Sequence, residues 1–276
     1  RLVWSAAFSR THQYAQSLRN PESVVGHVFP ADLFVVAGAA GVPVARSDQV
    51  VLAGEWAAAP GVRIGAQGFA RRFDDIVLAA PEETGPFAAA GFAVGEGSAR
   101  GAALEVTAAG ERYGVVVSYA AQRVRIARGD SAYAPRLGTG HTLDAGVIVF
   151  PTPTMSLRVA AIAAAGRVGT GVAGPFEWEA CNVVDLGCEF AGSPQTSGPP
   201  GGTGLPVYLR LDVGGRRHWH VNVGGRDVLA GVFATLTNVI GRRNTLAYVV
   251  DPETGERRPI EMLPRTPLVA GLDVRF

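Results

Sequence analysis

Lysine is absent from this chain: all 25 basic residues are arginine. Set against 24 acidic residues they leave a formal charge of +1, so no field of one sign marks nucleic acid or a charged surface as a partner. Long apolar runs are also missing. A transmembrane helix needs roughly 18–20 apolar residues, and the longest uncharged apolar run, Leu33 to Ala45, is shorter and is broken by Gly38, Gly41 and Pro43. The signatures of catalysis are missing too. No Gly-x-Ser-x-Gly elbow or phosphate loop occurs, and Gly95-x-Gly97 followed by Gly101 does not fit the dinucleotide fingerprint. Neither an enzyme nor a cofactor is expected. Only two cysteines are present, Cys181 and Cys188, in a Gly/Pro/Ser-rich region. Their spacing suits a small disulfide-closed loop in an oxidising compartment, two unrelated thiols being the alternative. There is no signal peptide and the chain begins at Arg1, which reads as a piece of a longer precursor.

What the chain has instead is alternation. Sustained helical periodicity is nearly absent, while period-2 patterning recurs from end to end. At the end, Leu268, Ala270, Leu272, Val274 and Phe276 form one face, opposite Val269, Gly271, Asp273 and Arg275. Val207, Leu209, Leu211 and Val213 likewise oppose Arg210 and Asp212, and Leu143, Ala145, Val147 and Val149 oppose Asp144. Ten such segments run roughly over 1–10, 48–58, 62–72, 98–108, 112–125, 141–150, 155–166, 207–221, 227–239 and 267–276. Each has about the 9–11 residues that a tilted strand needs to cross a bilayer.

The connections sort strictly into two kinds. Short ones, at 59–61, 109–111, 151–154 and 222–226, alternate with long ones at roughly 11–47, 73–97, 126–140, 167–206 and 240–266. Transmembrane barrels show this alternation, with turns on the periplasmic side and loops outside. Trp56, Tyr113, Trp219 and Phe276 fall on the apolar face near strand ends on the turn side, where an aromatic girdle belongs. The predicted fold class is all-β: an antiparallel transmembrane β-barrel, partial, with about ten strands of a larger meander. Because a charge facing hydrocarbon near the midplane costs about 2–4 kcal/mol for Arg, the polar face is assigned to the lumen. It carries Arg63, Gln67, Arg71, Glu105, Asp144, Arg158, Arg210 and Asp212. Arg217 breaks the rule beside Trp219; a bulge or an interfacial position would accommodate it.

Four stretches resemble the TonB-dependent outer-membrane receptors. Pro264-Arg265-Thr266-Pro267 through Gly271-Leu272-Asp273-Val274-Arg275-Phe276 is similar to that family's last strand, with its terminal Phe. Thr237-Asn238-Val239-Ile240, followed by Arg242-Arg243-Asn244, resembles the segment closing the penultimate strand. Arg71-Arg72-Phe73-Asp74-Asp75-Ile76 resembles the aromatic-acidic run that ends an ascending strand. Ala99-Arg100-Gly101 with Leu104-Glu105-Val106 resembles the start of a descending one.

The resemblance implies that residues 1–276 are the C-terminal part of a 22-stranded barrel, without its plug domain. It implies location in the bacterial outer membrane and ligand-gated, TonB-coupled uptake of a scarce nutrient such as a ferric siderophore or cobalamin. The implied partners are the TonB complex, through an N-terminal plug absent from this piece, outer-membrane lipid, the barrel-assembly machinery, with Phe276 as its C-terminal signal, and a small-molecule or metal-chelate ligand. A smaller, self-closed porin-like barrel with passive transport is the alternative. The strongest candidate for ligand contact is the loop carrying Phe176, Glu177, Trp178 and Glu179 beside the cysteines. His218 and His220 share a strand face and could hold a metal, but no third ligand is near in the sequence, so no metal site is expected.

Overall fold

A computed structural model describes residues 1–17, 34–38, 41–79, 92–135, 138, 140–173, 181–182, 187–188, 196–197, 201–251, 254–262 and 267–275. Among the described residues the chain is all-β, and the ten segments predicted from alternation are ten long strands of one antiparallel sheet. They are β1 (Leu2–Gln13), β2 (Ala45–Ala59), β3 (Val62–Ala79), β4 (Phe92–Gly110), β5 (Tyr113–Arg128), β6 (Gly140–Thr152), β7 (Met155–Ala165), β8 (Tyr208–Val223), β9 (Arg226–Leu236) and β10 (Leu268–Arg275). Each pairs with its neighbours in sequence, so the sheet is an unbroken meander. It is open: β1 and β10 lie at its two ends and do not pair with each other.

All four short connections are two-residue turns, closed by the pairs Ala59↔Val62, Gly110↔Tyr113, Thr152↔Met155 and Val223↔Arg226. The last is Gly224-Gly225, with φ of 60° and 80°, the doubly positive geometry that tight hairpins demand and only glycine supplies without strain.

The register also staggers the strands. The row leaving the loop end of β10 at Leu268 passes through Leu236, Val213, Val159, Val147, Val115 and Ala108. It arrives at Val62, the turn end of β3. A steady slip of this kind is the shear of strands tilted against a barrel axis.

Two expectations are corrected. The descending strand does not start at Ala99-Arg100-Gly101: β4 begins at Phe92, and β3 runs on to Ala79. Between Phe73 and Ile76 the register shifts, with Asp75 at φ 60°. That bulge breaks the period-2 phase and hid the strand extensions beyond it. The segment 240–266 is not a bare loop either. Thr245–Val250 pairs with Arg257–Glu261, and the Asp251 N–H donates to the Glu256 carbonyl at 2.9 Å, so the two strands form a hairpin. Val172 and Ala173 add to this hairpin in parallel, and Thr196–Ser197 adds to them.

Little of the described chain is a core. Among the described residues the buried apolar side chains are Val42, Ala45, Val77, Ala99, Val228 and Ala247, and no large side chain is fully enclosed. An ordinary soluble domain of this length would bury dozens of large apolar groups.

Candidate functional site

Residues directly opposite in a ladder share a face, so the register sorts the sheet into two faces across all ten strands. One face carries Leu52, Ile64, Leu104, Val117, Val147, Val159, Leu211, Val232 and Leu272 along with the other apolar members of the alternation. Most of these side chains are exposed, Leu272 at 79% and Trp4 on the same face at 76%, while Ile64, Val117 and Leu211 are half-buried. Trp56, Tyr113 and Trp219 lie on this face toward the turn ends, as expected. Trp4, Phe8 and Tyr119 join them, the Tyr119 hydroxyl lying 2.7 Å from His141 Nδ1. Phe276 lies outside the described residues, as do Phe176, Glu177, Trp178, Glu179 and Pro264–Thr266. No bulge accommodates Arg217. The β8 ladder is regular there, and its guanidinium sits 5.3 Å from the Trp219 ring centroid, toward the turn end.

At the loop ends of β1–β4 the apolar face stops at a line of charge. Arg10 grips Asp48 with two contacts of 2.6 and 3.0 Å. Arg46 reaches Asp74 at 2.6 Å, and Arg72 bridges Asp74 at 2.9 Å and Glu96 at 3.4 Å. Sequence reading missed this network, because its partners lie on different strands. The available signal was parity: Arg10, Asp48 and Arg72 occupy the apolar phase of their strands just where apolar residues give out.

Arg63, Gln67, Arg71, Glu105, Asp144, Arg158, Arg210 and Asp212 all fall on the opposite face. One row runs Gly65, Glu105, Ser118, Asp144, Ile162, Arg210, so the two carboxylates flank a serine. Arg210 is locked onto Asp212 by contacts of 2.8 and 2.6 Å, and Arg158 donates to Thr235 Oγ1 at 2.8 Å. Arg71 donates to Ser47 Oγ at 2.6 Å and covers the Phe73 ring. Asp273 pairs with both Arg216 and Arg275. Two glycines on this face are capped by cross-strand aromatics: a Cβ on Gly101 or Gly271 would run into Phe69 or Phe233. Arg63, Thr107 and Arg158 border a hollow of about 880 Å³ at the turn ends of β3, β4 and β7.

The loop ends are tied to the wall by side chains that stand in for strands. Asn244 accepts from the Leu209 N–H and donates to the Leu209 carbonyl, both at 2.9 Å. Its amide thus continues the β8 ladder where no strand is present. Asn238, at φ 51°, turns the chain after β9; its N–H donates to Asp212 and its Nδ2 to the Arg242 carbonyl. Arg167 donates to the carbonyls of Pro206 and Thr245. Buried Gln16 links the first long connection to β3, accepting from the Val77 N–H at 2.9 Å and donating to the Asp75 backbone carbonyl.

The cysteines face one another in a two-residue ladder, Cys181↔Cys188. Antiparallel partners have Cα atoms about 4.5–5.5 Å apart, within the disulfide range. His218 and His220 share the polar face, and no group of three or more metal-binding side chains occurs among the described residues. No protein-family model matches the chain, and none of the curated proteins compared with it matches.

Proposed function

We propose that this chain is a membrane-spanning wall of an outer-membrane β-barrel, and that the barrel is a TonB-coupled importer of a bulky, scarce nutrient such as a ferric siderophore or cobalamin. One observation carries the membrane reading: an exposed apolar face crosses all ten strands, while only six apolar side chains are buried among the described residues. Ten strands at about 4.8 Å and an apolar height of about 25 Å give an area on the order of 1,200 Å². Soluble monomers rarely expose more than a few hundred. At about 25 cal/mol per Å² the exposure would cost roughly 30 kcal/mol, more than a whole domain's net stability. Hydrocarbon removes that cost, provided every strand is paired.

The importer reading is supported by a polar inner face, by elaborated connections confined to one end of the sheet, and by the family resemblance of the strand ends. The free edges of β1 and β10 favour a wall continued by further strands over a self-closed ten-strand barrel. The test is fractionation of the full-length protein followed by growth and uptake. It should remain in the membrane pellet after alkaline wash and dissolve only with detergent. A deletion strain should lose energy-dependent uptake of a ferric siderophore or cobalamin. Recovery in the soluble fraction would remove the membrane reading. Uptake insensitive to loss of TonB would leave a passive barrel.

A further inference from the structure

We propose that the apolar face of β1–β5 holds one phosphorylated membrane lipid, with an acyl chain in a groove between Trp4 and Tyr119 and the phosphate on Arg100 and Arg123. The inference rests on the membrane reading above and deepens it.

The groove is open and holds about 810 Å³, floored by Gly54, Ala66, Gly68 and Ala102 and walled by Trp4 and Tyr119. Nothing in the protein's own packing requires glycine there. A Cβ on Gly54 would meet only the Val3 carbonyl oxygen at 3.9 Å, and one on Gly68 only the Gly101 carbonyl oxygen at 3.8 Å. Both are ordinary contacts, in contrast to those that Gly101 and Gly271 would make with Phe69 and Phe233 on the other face. Small residues in this patch therefore leave a channel between the larger side chains of Trp4, Leu52, Leu104 and Tyr119.

Arg100 and Arg123 stand at the loop-side mouth of that channel, two residues beyond Ala102 and Ala121 on the same face. They are directly opposite one another in the ladder, and both are exposed. Like charges placed opposite each other are destabilising. Every other arginine along this rim of β1–β3 has a carboxylate: Arg10 has Asp48, Arg46 has Asp74, and Arg72 has Asp74 and Glu96. Arg100 and Arg123 have none among the described residues, and Arg125, two residues further on, adds a third such cation.

Guanidinium forks match phosphate oxygens in bidentate pairs, so an anion bridging the two arginines would replace repulsion by two charge-assisted contacts. The mouth lies about 6.6 Å along the strand from the groove floor, which is the order of headgroup then chain in a lipid. A second copy of this chain fits less well, since a two-fold contact through this patch would bring the same cations together.

The test uses the full-length protein purified from membranes, with bound phosphorylated lipid quantified by mass spectrometry. Arg100→Gln with Arg123→Gln should lower retained lipid by about tenfold or more, and Gly68→Leu, which fills the groove, should do the same. Arg63→Gln on the opposite face should leave it unchanged. Wild-type retention in the double variant would overturn the proposal. Independently of folding in the variants, wild-type protein is titrated with a short-chain phosphatidic acid, the diacylglycerol with the same chains, and inorganic phosphate. The phosphatidic acid should bind about tenfold more tightly than either. Equal binding of inorganic phosphate would reduce the site to a simple anion patch and overturn it. Heat-dependent electrophoretic mobility of the wild-type protein reports barrel folding separately, so loss of lipid specificity with intact mobility sinks this proposal alone.

Discussion

Leu272 offers the sharpest separation between a lipid-facing wall and a water-facing one. It lies near the middle of the apolar residues of β10, opposite Val232, and is 79% exposed. In water, replacing so exposed a side chain changes stability by no more than about 0.5 kcal/mol. Facing hydrocarbon at the midplane, arginine costs about 2–4 kcal/mol, which is about 30- to 700-fold in the folding equilibrium at 1.4 kcal/mol per decade. Leu268→Arg, at the loop end of the same face, should cost only about 0–1 kcal/mol. Asp273→Asn, one residue along on the other face, loosens pairing with Arg216 and Arg275. With its carboxylate 29% exposed, that pairing is worth up to about 1 kcal/mol. Urea titration of folding into lipid vesicles measures all three. The expected order of damage is Leu272→Arg well above Asp273→Asn and Leu268→Arg. Equal effects, or a neutral Leu272→Arg, would refute the face assignment.

Three further outcomes are expected. Asn244→Ala should strand the backbone N–H and carbonyl of Leu209, cost about 1–3 kcal/mol, and open residues 245–261 to limited proteolysis; unchanged cleavage would contradict the strand-mimic role. Gly225→Val should cost about 1–3 kcal/mol because its φ of 80° excludes a branched side chain, whereas Gly146→Ala, with nothing within 4 Å of its Cβ, should be neutral or slightly stabilising in thermal unfolding. A non-reducing peptide map of protein from an oxidising compartment should link Cys181 to Cys188, as their opposed positions allow; two freely alkylated thiols would rule the bridge out.

The ten strands were legible because alternation is a local property: Leu211, Asp212 and Val213 declare their faces without reference to any other part of the chain. The turns were legible for the same reason, Gly224-Gly225 above all. What was hidden is what depends on register. Nothing near Arg100 announces that Arg123 lies opposite, and nothing near Arg10 announces Asp48, since only the ladder brings them together. Asn244 hid differently, because its amide does the work of a strand within a segment that has no periodicity. The bulge at Asp74-Asp75 erased the phase that would have extended β3 and β4.

The central claim is that the apolar face meets lipid, and a spin-label scan along β7 tests it most directly. With Cys181 and Cys188 replaced by serine, single labels are placed at 157 through 163 in the full-length protein in vesicles. Labels at Leu157, Val159, Ala161 and Ala163 should be accessible to oxygen and shielded from a water-soluble nickel complex. Labels at Arg158, Ala160 and Ile162 should lack that oxygen preference, giving a period of two. Equal access of the nickel complex to both sets would contradict the claim.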